Sequence, residues 1–126
     1  MLYYVASPYS KYTGGVEEAF REAARYTAAL MERNLPVYSP IVHSHALCSV
    51  TDLDPLNHKF WMEVDKPIAD LCSGLIVACM SGWDESIGVH MEIEWFNAAY
   101  KPIYYARLNP DGSIHWLAEV MTGQPL

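Results

Sequence analysis

The sequence predicts a single three-layer α/β/α domain with a mostly parallel, doubly wound, Rossmann-like sheet, and three observations carry that expectation. Ser73-Gly74-Leu75-Ile76-Val77-Ala78-Cys79-Met80 is a nearly continuous apolar run, the pattern of a central parallel strand covered on both faces. Strand-like and helix-like stretches alternate in the order βαβ-αβ-αβ-α, which selects a parallel sheet flanked by helices. Finally, the apolar run passes through Ser81-Gly82-Trp83-Asp84-Glu85 straight into a helix start, and ligands of such folds collect at the carboxyl ends of the strands.

Taken in order, Leu2-Tyr3-Tyr4-Val5-Ala6 is β-prone and stops at Ser7-Pro8, where the proline ends pairing. The loop Ser7 to Gly15 is rich in hydroxyls, carries Lys11 as its cation, and is a candidate ligand loop. Val16 to about Arg33 reads as a helix, with Val16, Phe20, Ala23, Thr27, Leu30 and Met31 at three- and four-residue spacing. Glu17 and Glu18 suit its first turn, and Asn34 suits a left-handed stop. Pro36 to Pro40 allows only a brief second strand. Ile41 to Pro55 shows no clear period and reads as a long loop, which in a compact domain is often functional. Leu56 to Leu71 reads as a helix with a kink or break at Pro67. After the central strand, a helix from about Ser86 to Tyr100 buries a stripe near Val89, Ile93, Phe96 and Ala99. Ile103 to Ala106 is the next strand, Asn109-Pro110-Asp111-Gly112 is a turn, and Ser113 is expected to cap a last helix through about Met121.

At 126 residues the chain fits one domain spanning 1–126. Its residues are 52% hydrophobic and 18% charged, apolar enough to predict that part of the surface is covered in a homodimer or larger homo-oligomer. A net charge of -7 with only 8 Lys and Arg excludes tracking of long nucleic acid, which needs a basic stripe. Cys48, Cys72 and Cys79 form no CxxC pair and read as reduced thiols. No apolar run reaches a membrane span of roughly 18 residues, so a cytoplasmic protein without a membrane partner is expected.

Ser86 or Asp84 is placed to cap the helix after the central strand, whose free N–H groups and dipole would favour an anion. Glu92 follows Gly88 by one turn and so stands over a position with no side chain to block approach. Glu94 is rotated by about 200° from it and should face elsewhere. His43 and His45, if on an extended segment, would project both rings one way, and with Asp52, Asp54 and His58 they raise the question of a metal.

Together these residues resemble the nucleoside 2-deoxyribosyltransferase superfamily, which includes the 2'-deoxynucleoside 5'-monophosphate N-hydrolases. Tyr4 before a polar loop, Asp65 ahead of the central strand, Ser86-Ile87-Gly88-Val89-His90-Met91-Glu92 as Ser-x-Gly-x-x-x-Glu, and Lys101-Pro102-Ile103 at a helix-to-strand exit carry the likeness over about residues 1–106. Ser39-Pro40 with His43-Ser44-His45 resembles a smaller branch with a Ser-Pro-x-x-His-Ser-His stretch.

The resemblance implies cleavage of an N-glycosidic bond, with no cofactor and no metal. It assigns Glu92 to C1', where a carboxylate can stabilise, attack or activate water against oxocarbenium charge. Tyr4 would orient Glu92, and Asp65 would grip a sugar hydroxyl or assist proton transfer. Ser7, Ser10, Lys11, Ser86 and the Gly88 backbone are candidates for a 5'-phosphate. His43, His45 and Trp83 are candidates for contacts to the base. Related enzymes complete each pocket with a neighbouring subunit, which again implies a homo-oligomer. Asp84 and Glu85 put negative charge beside the phosphate position, and the first loop departs from the glycine-serine turn of the monophosphate hydrolases, so free nucleoside and monophosphate both stay open. Base exchange is an alternative to hydrolysis, and a nucleotide-binding module without chemistry is an alternative to both.

Overall fold

A computed structural model of the chain describes residues 1–117. Strand β3 (Gly74–Ala78) is buried along its whole length, because both of its faces meet helices. It pairs in parallel with β1 (Tyr3–Ala6) on one side and β4 (Ile103–Leu108) on the other. Strand β2 (Val37–Tyr38) adds in parallel outside β1, and β5 (Ile114–Trp116) adds antiparallel outside β4. The resulting five-stranded sheet has the order β2-β1-β3-β4-β5.

Successive side chains of a strand point to opposite faces, and the core divides accordingly. Tyr3, Val5, Ile76, Ala78, Tyr104 and Ala106 pack on the face covered by α1 (Val16–Glu32), through Ala23, Tyr26 and Leu30. Tyr4, Ala6, Leu75, Val77 and Ile103 pack on the other face against Ala69 of α3 (His58–Leu71) and Val89 and Phe96 of α4 (Ile87–Ala98). This is the three-layer arrangement expected from the sequence. From β1 the chain moves outward to β2 and must cross back over β1 to reach β3. The loops leaving β1 and β3 therefore diverge, and the sheet opens a crevice between their carboxyl ends.

Four expectations are corrected. The stretch from Ile41 is not a loop throughout, because Pro40–Cys48 forms helix α2. Ser39 caps it by accepting a hydrogen bond from the Val42 N–H at 3.2 Å, and Pro40 stands in the first turn, where its missing N–H costs nothing. Helix α3 runs through Pro67 without a break. Pro67 and Glu63, whose carbonyl loses its donor, are both exposed, so solvent can serve that group. No helix begins at Ser113. The Asn109–Gly112 turn, with Gly112 at φ 88, instead reverses the chain into the β4–β5 hairpin, and the remainder of the expected helix lies outside the described residues. Ala99 is exposed and lies just past α4 rather than in its buried stripe.

Asn34 does adopt the left-handed conformation, at φ 64, after α1. The three cysteines are free thiols. No helix among the described residues is long and apolar enough to cross a membrane.

Candidate active site

The crevice is built from the β1 loop, the β3 loop and the helices that follow. Gly82, at φ 79, takes a backbone conformation that a side chain would strain and leads β3 into a 3-10 turn at Trp83–Glu85. Ser86 then caps α4, its Oγ accepting from the Val89 N–H at 3.3 Å. Ser86 rather than Asp84 is thus the cap. The N–H groups of Ile87 and Gly88 have no intrahelical acceptor and point out of the helix start.

One turn in, Glu92 shares the buried stripe of α4 with Val89 and Phe96. A carboxyl in an apolar stripe is pushed toward its neutral form by desolvation, and Glu92 is raised to about 8, with the nearby Asp65 charge adding to the rise. The Tyr4 hydroxyl donates to Glu92 Oε2 and acts in the opposite sense. Tyr4 is fully buried between Phe96 and Tyr38, with ring centroids 5.7 and 6.3 Å away. Burial and the neighbouring carboxyls hold its phenol far above the ordinary range, so it stays a donor.

Asp65 reaches the same place from α3, in the buried stripe Trp61, Asp65, Ala69. Burial raises it to about 6. Two carboxyls in different surroundings thus line one chamber of about 100 Å³, together with Ser7, Ser44, Ser86 and Gly88. Among the described residues the buried Ser7 Oγ has no hydrogen-bond partner, and Ser7 lines this chamber. An alanine Cβ at position 88 would lie no nearer than 3.9 Å to any neighbouring heavy atom, so glycine there leaves open space instead of relieving a clash. A second, outer chamber of about 370 Å³ holds Lys11, Tyr12, Ser81, Glu85 and Ile87. Tyr9, Ser10 and Ser86 line both.

Residues 2–107 match the family model described as a domain of unknown function, DUF1937. The chain belongs to the DUF1937 family. No curated protein matches it.

In this DUF1937 domain Asp65, Glu92, Ser7, Ser86 and Gly88 line the inner chamber, Tyr4 stands behind it and reaches Glu92 by its hydrogen bond, Ser10 lines both chambers and Lys11 the outer one. Of the two acids after the central strand, Glu85 lines the outer chamber opposite in charge to Lys11, whereas Asp84 is exposed and lines neither. Glu94 is exposed. Trp83 lines neither chamber and packs on Tyr105, ring centroids 5.5 Å apart.

His43 and His45 separate because their segment is helical, where two residues are about 200° apart. His43 pairs with the Tyr38 hydroxyl at 3.0 Å. His45 pairs through Nδ1 with the Tyr9 hydroxyl at 2.7 Å and through Nε2 with Glu17 at 3.2 Å. Neither ring lines the chambers. Tyr9, Ser44 and Trp61 were not singled out by sequence. Trp61 stands one helical turn before Asp65, the spacing that puts both on one face, and its Nε1 holds the Asp54 carbonyl at 2.8 Å, closing the α2–α3 loop over the site.

Proposed function

We propose that this protein cleaves the N-glycosidic bond of a 2'-deoxynucleoside or its 5'-monophosphate, with water as acceptor. The observation that carries the reading is the buried Glu92, hydrogen-bonded by Tyr4 and electrostatically coupled to Asp65, at a chamber beside a capped helix start. As the C1'–N bond breaks, positive charge gathers on the sugar, and a carboxylate in a water-poor site stabilises that charge far more than it would in bulk solvent.

Glu92 must be ionised to do so, and because burial raises it to about 8, activity should climb as pH rises through that value. Tyr4 fixes which oxygen faces the sugar. Asp65 is placed to take a sugar hydroxyl, and the Ser7 Oγ can take another polar group. The outer chamber offers Lys11, Ser10 and the α4 N–H groups to a 5'-phosphate, while Glu85 opposes one. Free thiols at all three cysteines suit a reducing, cytoplasmic setting.

The reading extends to a homo-oligomer. His58 and Met62 line both the inner chamber and an apolar groove with Met91 and Trp95 on the outside of α3 and α4. A second copy of this chain seated in that groove would wall the chamber off from water.

The test is incubation with a panel of 2'-deoxynucleosides and their 5'-monophosphates, following free base by chromatography. Release of base that Glu92→Gln abolishes supports the proposal. No base from any substrate overturns it, and binding without release would mark a nucleotide-binding module. Exchange of one base for another without net hydrolysis would make the protein a transferase.

A further inference from the structure

We propose that Tyr9, aligned by His45 and Glu17, is the proton donor to the departing base, an inference that rests on the N-glycosidase reading above. A nucleobase leaving as an anion is a poor leaving group, and cleavage requires a proton on its nitrogen or carbonyl as the C1'–N electron pair moves to the ring. The carboxyls already described act on the sugar. On the side of the inner chamber built by α2, Ile41 and Ser44 stand with Tyr9, and Tyr9 lines the outer chamber as well.

Tyr9 is held in a defined chain of contacts. Its hydroxyl lies 2.7 Å from His45 Nδ1, and His45 Nε2 lies 3.2 Å from Glu17 Oε1. The imidazole is nearly enclosed and stacks on Phe20, with ring centroids 4.3 Å apart and planes at 17°. Both nitrogens are thus committed and the ring plane is fixed. Glu17 stands at the solvent end, 62% exposed and paired with Arg21 at 3.4 Å. A carboxylate there requires a proton on Nε2. With a second proton on Nδ1, the ring donates to the Tyr9 oxygen and turns the phenolic hydrogen into the chamber.

The step then balances. The C1'–N bond breaks, the base takes the Tyr9 proton, and Tyr9 takes the His45 Nδ1 proton. His45 is left neutral with Nε2–H on Glu17, and water bonds to C1' while giving a proton to Glu92. The Glu92 proton passes to solvent, and once the base has left His45 Nδ1 regains its proton from water in the chamber by way of the Tyr9 hydroxyl, while Glu17 keeps Nε2–H in place.

The experiment measures kcat/KM across a series of substrates of whichever base class the panel identifies, substituted so that the leaving base grows more acidic. Wild type, Tyr9→Phe, His45→Gln and Glu17→Gln are compared. The expected result is a loss of about 10²-fold or more for Tyr9→Phe and His45→Gln on the ordinary base, shrinking toward wild type as the base becomes acidic enough to leave unprotonated. KM should change little. Glu17→Gln alters an exposed side chain, so it reports on the relay even if the other two variants misfold, and it should show a smaller loss with the same trend. A loss that is the same factor along the whole series, or no loss, overturns the proposal while leaving the N-glycosidase reading intact. If the wild type releases no base at all, both readings fall.

Discussion

The Tyr4 hydroxyl donates to Glu92 Oε2 and joins the first strand to the fourth helix across 88 positions of sequence. Because this bond favours the charged carboxylate, it offsets part of the upward push that burial gives Glu92. Removing it in Tyr4→Phe should raise Glu92 further. A hydrogen bond to a charged group contributes about 1.5–3 kcal/mol, and one pH unit corresponds to about 1.4 kcal/mol. The acidic limb of the kcat/KM profile should therefore move upward by about one to two pH units. An unmoved limb in a pH–rate titration of the variant would show that Tyr4 does not act through Glu92.

The sequence made Glu92 readable because Ser86, Gly88 and Glu92 lie on one local element whose geometry follows from helical spacing. It could not tell which face of β1 Tyr4 would take, since Tyr3, Tyr4, Val5 and Ala6 are all buried and a strand covered on both sides shows no alternation. Helix α2 was illegible by periodicity because its apolar residues do not gather on one face, although Ser39-Pro40 is a helix-start signature. Ser113 looked like a cap. The apolar–polar–apolar order of Ile114, His115 and Trp116 was the better signal, and after a tight turn it marks the return strand of a hairpin.

Stability should fall as pH rises. Glu92 is raised from 4.5 to about 8 and Asp65 from 3.8 to about 6, so between those values the folded chain binds more protons than the unfolded one. Their favourable contribution is fully present below the unfolded pKa values and is lost as pH rises through the folded ones. Glu92→Gln keeps an acceptor for Tyr4 and removes the titration. Thermal melts should show the variant gaining Tm relative to wild type at pH 8 but not at pH 4. An equal difference at both would contradict the buried titration.

Gly88→Ala separates packing from binding. The added methyl meets His58 Cε1 at 3.9 Å and Ser86 Oγ at 4.0 Å, ordinary contacts that leave the fold undisturbed. The methyl would nonetheless occupy chamber space in front of Glu92. Unchanged or slightly raised Tm with kcat/KM lowered by up to about a hundredfold is expected. Full activity would mean that substrate does not approach over residue 88.

Ser86 both caps α4 and lines the two chambers. Ser86→Ala should lower stability by about 1 kcal/mol through loss of the cap, and Ser86→Asp should restore it while adding negative charge. If a 5'-phosphate sits at the helix start, Ser86→Asp will depress activity on monophosphates and spare free nucleosides. Equal effects on the two substrate classes would place the phosphate elsewhere.

Assembly gives the last prediction. Met91, 38% exposed, lies in the groove shared with His58 and Met62, while Leu56, 55% exposed, lines the inner chamber and Ile87, 64% exposed, the outer one, and a monomer leaves all three in water. Burying them against a second copy gains about 25 cal/mol for each Å² of apolar surface removed, and it would close the chamber through His58 and Met62. Met91→Lys puts a charge into that groove without touching Tyr4, Asp65 or Glu92. It should shift the protein toward monomer in sedimentation velocity and lower kcat/KM in parallel. Wild-type specific activity should likewise fall on dilution through the dissociation range. A wild type that sediments as a monomer at micromolar concentration, with activity constant on dilution, would show that each chain works alone and that this apolar face has another use.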